Sequence, residues 1–194
     1  AQSVTVRILA TTDLHGNIYP YDYFTAKPAP RGLAKIATLI AQERNPNTLL
    51  IDCGDTIQGA TLKTVHQQTV RKGTKDPDPM MLAMNKLGYD MMTLGNHEFN
   101  YGLPFLDRAL ADAKFPLLAS NARRVDGKRG WAPAAFVDRA GVRVAVVGVT
   151  TPWSMVWDKL HLQGKLQIDD VVPSVRRAVK DARAAGAQVV VVVS

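Results

Sequence analysis

Apolar positions along the chain fall into short runs that alternate with stretches of helical spacing. In the β-rich segment 4–10, Val4, Val6 and Ile8 alternate with other residues, as in a half-buried strand. Leu33, Ile36 and Ile40 then recur at the spacing of one helix face, and Pro46 closes that segment. Segment 49–52 reads as a short buried strand. Met80, Met84 and Leu87 share a helix face, 91–94 reads as a strand, and Leu103, Leu106 and Leu110 mark another helix. Strands are predicted at 116–119, 142–149 and 188–193, with a helix over 171–185 before the last. Strands alternating with helices predict an α/β fold, a largely parallel twisted sheet with helices packed outside. Asp126-Gly127 and Ala140-Gly141 break the alternation and predict a hairpin-like excursion between residues 121 and 143. No internal repeat is visible, and segment 72–79 reads as an exposed loop.

Composition narrows this picture only in places. A chain of 194 residues suits one domain with a real core, and no apolar run approaches the ~18 residues of a membrane span. The net charge of +7 raises the question of a nucleic-acid surface. The basic residues are scattered, however. Arg176, Lys180 and Arg183 sit at helical spacing opposite Val172, Val175 and Val179, which reads as one solvated helix face. No nucleic-acid partner is expected, and a mildly basic surface suits a small anionic substrate. The single cysteine, Cys53, excludes an internal disulfide and leaves the redox compartment open. The Ala1-Gln2-Ser3 start fits a removed signal peptide and equally a trimmed chain. The methionines read as core packing. Trp153 and Trp157, four apart, are expected to pack together, with base stacking as the alternative use.

Three polar clusters follow directly on apolar strands: Asp13-Leu14-His15-Gly16-Asn17, Gly54-Asp55 and Gly95-Asn96-His97-Glu98. Ligand sites in open α/β sheets form beyond the carboxyl ends of strands, so the three can converge. Asp13 and His15 project to one side of extended chain and supply one hard oxygen and one imidazole. Asp55 has two oxygens and can bridge two cations, and Asn96 offers a neutral carbonyl oxygen. Mixed nitrogen and oxygen donors suit Mn, Zn, Fe or Co better than Ca or Mg. Asp-x-His or Gly-Asp alone is a weak signal, since Gly-Asp commonly marks a turn. Three clusters in this order, each at a strand end, carry the metal reading together.

These residues resemble the first three motifs of the calcineurin-like metallophosphoesterases. Thr11-Thr12-Asp13-Leu14-His15-Gly16-Asn17 and Gly95-Asn96-His97-Glu98-Phe99 resemble the nucleotidase branch of that family. Asn100-Tyr101-Gly102-Leu103, Ala113-Lys114-Phe115-Pro116 and Trp157-Asp158-Lys159 are similar to its bacterial 2',3'-cyclic-nucleotide 2'-phosphodiesterase/3'-nucleotidases. The resemblance implies a four-layer α-β-β-α sandwich and two divalent metal ions, one held by Asp13, His15 and Asp55. Asp55 would bridge to the second, held by Asn96. It implies His97 as the catalytic histidine on the leaving-group side, with Asn100 beside it. It also implies 2',3'-cyclic and 3'-nucleotides as substrates and a periplasmic or secreted location, and leaves the oligomeric state open.

Two departures from the family pattern matter. Where the 5'-nucleotidase branch pairs an aspartate with the catalytic histidine, this chain has Asn100, which favours the cyclic-phosphodiesterase branch. A neutral amide orients an imidazole but does not stabilise its charged form as a carboxylate does. The family's remaining ligands are a histidine just after a strand like 189–194 and a later Gly-His-x-His motif, and neither occurs here. His66 and His161 lie in loop-like polar contexts and do not match. Residues 1–194 are therefore expected to be the N-terminal portion of the catalytic domain, with its remainder and the nucleotide-clamping C-terminal domain absent, and to bind metal poorly alone. The competing expectations are a 5'-nucleotidase on the same two-metal core and a non-catalytic metal- or ligand-binding relative.

Overall fold

The computed structural model describes residues 3–71, 73 and 75–194. Ala1-Gln2, and Lys72 and Thr74 of the expected loop, lie outside the described residues. The chain opens with β1 (Arg7–Thr11), the two-residue strands β2 (Tyr21–Asp22) and β3 (Lys27–Pro28), α1 (Leu33–Glu43) and β4 (Thr48–Asp52). Then come α2 (Thr61–Arg71), α3 (Pro79–Leu87), β5 (Met91–Thr93), α4 (Leu103–Leu110), β6 (Leu117–Leu118) and β7 (Ala122–Arg124). The remainder is β8 (Ala134–Arg139), β9 (Val142–Gly148), α5 (Ser154–Trp157), α6 (Lys159–Leu162), β10 (Leu166–Ile168), α7 (Val171–Ala184) and β11 (Val189–Val193).

The parallel α/β architecture expected from the pattern is present. One sheet runs β1-β4-β5-β6 with every pair parallel. A second runs β11-β9-β8, with β9 parallel to β11 and antiparallel to β8, so that β11 forms an edge. The expected excursion is real. Ala140 and Gly141, both at positive φ, turn β8 into β9, and β7 pairs antiparallel with β10.

Alternation along the strands decides what each face packs against. In β4, Leu50 joins the cluster formed with Leu33 and Ile40 of α1, Met80 and Met84 of α3 and Leu106 of α4. Leu49 and Ile51 point the other way and pack with Val144 and Val146 of β9 and Val193 of β11. In β9, Ala145 faces away from that shared cluster, onto Ala182 of α7. Leu49, Leu50 and Ile51 are 0–1 % exposed. Burying such a side chain contributes ~1.5–3 kcal/mol.

Some expectations fail in instructive ways. Helix α2 was not anticipated, because TLKTVHQQTVR carries few apolar residues to show a period. His66 lies within α2 and His161 within α6, so neither is in a loop. On α7 the buried face is Ser174, Ala178 and Ala182, while Val172 is 61 % exposed. Small residues let that helix approach the sheet, and a reading based on bulk places its face slightly wrong. The basic residues Arg176, Lys180 and Arg183 are solvated as expected.

Helix α2 carries an unusual interior charge. Lys63 is fully buried and ion-paired to Asp78, with its ammonium over the Phe105 ring. Burial pushes its pKa down and Asp78 opposes that. Asp78 also caps α3, accepting from Met80 N at 2.9 Å and Met81 N at 3.2 Å. The lysine stem lies against Gly16, where a Cβ would come within 2.2 Å of Lys63 Cγ. One buried ion pair thus joins α2, α3 and the loop after β1. Removing the lysine strands a buried carboxylate, so Lys63→Met is expected to destabilise the fold by about 3–5 kcal/mol. The double variant Lys63→Met, Asp78→Asn keeps a capping side chain and should recover part of that loss, read as urea-unfolding midpoints.

Candidate metal centre

The loops after β1, β4 and β5 meet at one end of the first sheet, and backbone hydrogen bonds lace them together. Asp13 N donates to Gly54 O at 3.1 Å, His15 N to Asp55 O at 2.9 Å and Gly16 N to Thr56 O at 2.8 Å. That lacing requires left-handed backbone at Asp13, His15 and Asp55, with φ of 53°, 48° and 57°. For residues with a Cβ this conformation costs ~1–2 kcal/mol each, and such strain concentrates at functional sites. Glycine is required where the second and third loops touch, since a Cβ on Gly54 would lie 2.2 Å from Gly95 N.

Glu98 fastens the second loop to the third. Its carboxylate is fully buried and accepts from Asp55 N at 2.8 Å, Thr56 N at 2.7 Å, Ile57 N at 3.2 Å and Gly95 N at 2.8 Å. Burial pushes its carboxyl up, and the amides of Thr56, Asp55 and Ile57 oppose that shift. Glu98 thus orients the loops without facing the cavity as a donor. Behind it, Asp52 accepts from the hydroxyls of Thr11 and Thr56, both at 2.6 Å. Burial pushes the Asp52 carboxyl up to about 7.

All the sequence-predicted residues come to this one place. Asp13, Asp55 and Asn96 line a cavity of about 250 Å³, together with Thr12, Cys53 and Thr150. His15 and His97 stand beside it with ring centroids 5.0 Å apart. His15, Asp55 and His97 offer ligand atoms within 4.8 Å of one another. His15 Nε2 lies 3.6 Å from Asp13 Oδ1, and His15 Nδ1 lies 2.9 Å from the Gln58 carbonyl oxygen. A proton on Nδ1, donated to that carbonyl, leaves the Nε2 lone pair facing the carboxylates. This is the backing a metal-binding imidazole needs. The donor set of carboxylate oxygens, imidazole nitrogen and amide oxygen fits a divalent transition metal. Cys53 is half-buried, and burial pushes its thiol up.

His97 is held from two sides. Its backbone N–H donates to Asp55 Oδ1 at 2.8 Å, and its Nδ1 lies 2.6 Å from Asn100 Oδ1. Asn100 Nδ2 in turn donates to both carboxylate oxygens of Asp158, each at 3.1 Å. Sequence reasoning gave Asp158 no role, although Trp157-Asp158-Lys159 figured in the resemblance. Trp153 and Trp157 do stack, at 6.4 Å and 24° between planes, with both rings mostly exposed.

Comparison with known proteins agrees with this picture. Residues 6–163 match the family described as calcineurin-like phosphoesterase. The chain is 41 % identical to the trifunctional nucleotide phosphoesterase YfkN of Bacillus subtilis, over 98 % of this chain and 14 % of that protein. It is 39 % identical to a Yersinia enterocolitica 2',3'-cyclic-nucleotide 2'-phosphodiesterase/3'-nucleotidase, over 100 % of this chain and 31 % of that one. A crystal structure of YfkN superposes with a TM-score of 0.85 at 38 % identity, covering 96 % of this chain and 60 % of that chain. The chain thus spans under a third of the length of these curated relatives. With its whole length aligned and its polar loops gathered at one sheet end, the chain belongs to the calcineurin-like phosphoesterases.

Proposed function

We propose that this chain carries the metal-holding part of a phosphoesterase that opens 2',3'-cyclic nucleotides to 3'-nucleotides and then releases phosphate. The observation that supports it best is the convergence of Asp13, Asp55 and Asn96 on one cavity, beside a His97 ring fixed by Asn100. In this reading Asp13, His15, Asp55 and Asn96 hold divalent ions, Asp55 by bridging. The chemistry such ions supply is Lewis-acid stabilisation of charge on the phosphoryl oxygens.

The chain's own residues do the rest. Asp55 orients the His97 backbone through its Oδ1, and Asn100 holds the ring's Nδ1. That leaves Nε2 free to carry a proton toward the leaving ribose oxygen. As water attacks phosphorus it gives up a proton to solvent, the bond to the ribose oxygen breaks with its electron pair passing to that oxygen, and that oxygen takes the Nε2 proton of a protonated His97.

Asn100 favours this reading over a 5'-nucleotidase, because the resemblance gives that branch a carboxylate at the same position. Comparing hydrolysis of 2',3'-cyclic AMP, 3'-AMP and 5'-AMP by the full-length protein tests the choice. Turnover of 5'-AMP alone would reverse it, and metal binding without turnover of any ester would favour a non-catalytic role. His97→Ala is expected to lower kcat by ~10²–10⁴ with metal content unchanged. Asp55→Ala is expected to abolish metal binding by isothermal titration with Mn²⁺. Retention of two bound ions would refute the bridging assignment.

A further inference from the structure

Asp158 lies at the junction of α5 and α6 and is 8 % exposed. A buried carboxylate is costly unless a cation or several donors meet it. Among the described residues the side-chain hydrogen bonds of Asp158 come from Asn100 alone, whose Nδ2 reaches both oxygens. We infer that Asp158 is a positioning residue for His97, acting through the Asn100 amide. The inference rests on the reading of His97 given above.

The two ends of an asparagine amide have nearly the same shape, so sterics alone do not choose between its two orientations. An ionised carboxylate only accepts. Asp158 therefore draws Nδ2 toward itself and leaves Oδ1 facing the imidazole. An oxygen at that position only accepts, so His97 Nδ1 must carry the hydrogen. The other ring nitrogen, Nε2, is then the one left without a partner in the chain of bonds. In a chain of this kind each bond polarises the next. Thus negative charge two bonds away supports the imidazole through an amide. Asn100 is not acting as a bare neutral partner, and the carboxylate missing at position 100 is supplied 58 residues later.

The geometry around this chain holds it in place. The His161 ring of α6 packs over Gly102, where a Cβ would lie 3.3 Å from its Nδ1. The α5–α6 segment is therefore seated directly against the turn that carries His97 and Asn100. Asp158→Asn preserves size, but its amide can either accept from or donate to Asn100. It removes the constraint on the flip and leaves the packing.

Two measurements on the full-length protein test this. In ¹⁵N-histidine NMR spectra recorded at a pH where the ring is neutral, wild-type His97 should show a single Nδ1–H tautomer and Asp158→Asn a mixture of both. An unchanged tautomer in the variant would overturn the inference whatever the activity. In kinetics, Asp158→Asn should lower kcat on 3'-AMP about 10–100-fold, the range typical of lost outer-layer partners, with KM within about two-fold. On 4-nitrophenyl phosphate, whose leaving group needs little protonation, the loss should stay within about three-fold. Equal losses on both substrates would mean a merely structural role and would also overturn the inference. A shifted tautomer in a protein that hydrolyses neither ester leaves the positioning intact and refutes the proposed function instead.

Discussion

A carboxylate removed from water must gather donors, and Glu98 gathers four backbone N–H groups from two loops. That requirement shapes the whole upper end of the first sheet. The amides of Asp55, Thr56 and Ile57 can point at one centre only if the chain turns sharply after β4. Asp55 meets that demand with left-handed backbone and Gly54 with its missing side chain. The same turn then presents the Asp55 carbonyl to His15 N and the Asp55 carboxylate to His97 N. Local strain at Asp55 is thus sustained by a buried carboxylate held through backbone N–H groups. Hydrogen bonds to a charged group contribute about 1.5–3 kcal/mol each, enough in number to offset the strain.

The layers below make this rigidity available. Strand β4 is buried on both faces, with Leu50 against the helices and Leu49 and Ile51 against the second sheet. A strand so clamped delivers Asp52 and the turn after it to a fixed position. Side-chain links reinforce this: the Thr11 hydroxyl bonds Asp52 and also lies 2.9 Å from the Tyr89 hydroxyl, tying β1 to the turn before β5. The interior charge pair of Lys63 and Asp78 does the same for the loop after β1 from the helix side. Rigid strands with mobile chemistry confined to their ends are the usual division of labour in α/β proteins.

How much of this could be read from the sequence depended on the kind of signal each part carried. Strands β4 and β9 were legible because both of their faces are buried, which writes an unbroken apolar run into the sequence. Asp13, His15, Asp55, Asn96 and His97 were legible because they sit at strand ends in short motifs of distinctive composition. Helix α2 was not, since its buried positions include Lys63 and Gln67 and its sequence has too few apolar residues to mark a face. Left-handed backbone at Asp13 and His15 is only faintly written in residue type, since Asp and His tolerate it better than most but neither is glycine. Asp158 was invisible for another reason. Its partner Asn100 is far along the chain, and only folding brings α5 and α6 against the turn that holds the histidine.

Strand β11 consists of five consecutive valines, Val189–Val193, and among the described residues it has a single neighbour, β9. Val189 and Val192 are 39 % and 44 % exposed. Its outer rim is a row of amide groups without charge or proline to deter company. Such a rim is a template for strand addition, from a continuing chain or from a second molecule. Whatever lies against it sets whether the protein stays dispersed at high concentration.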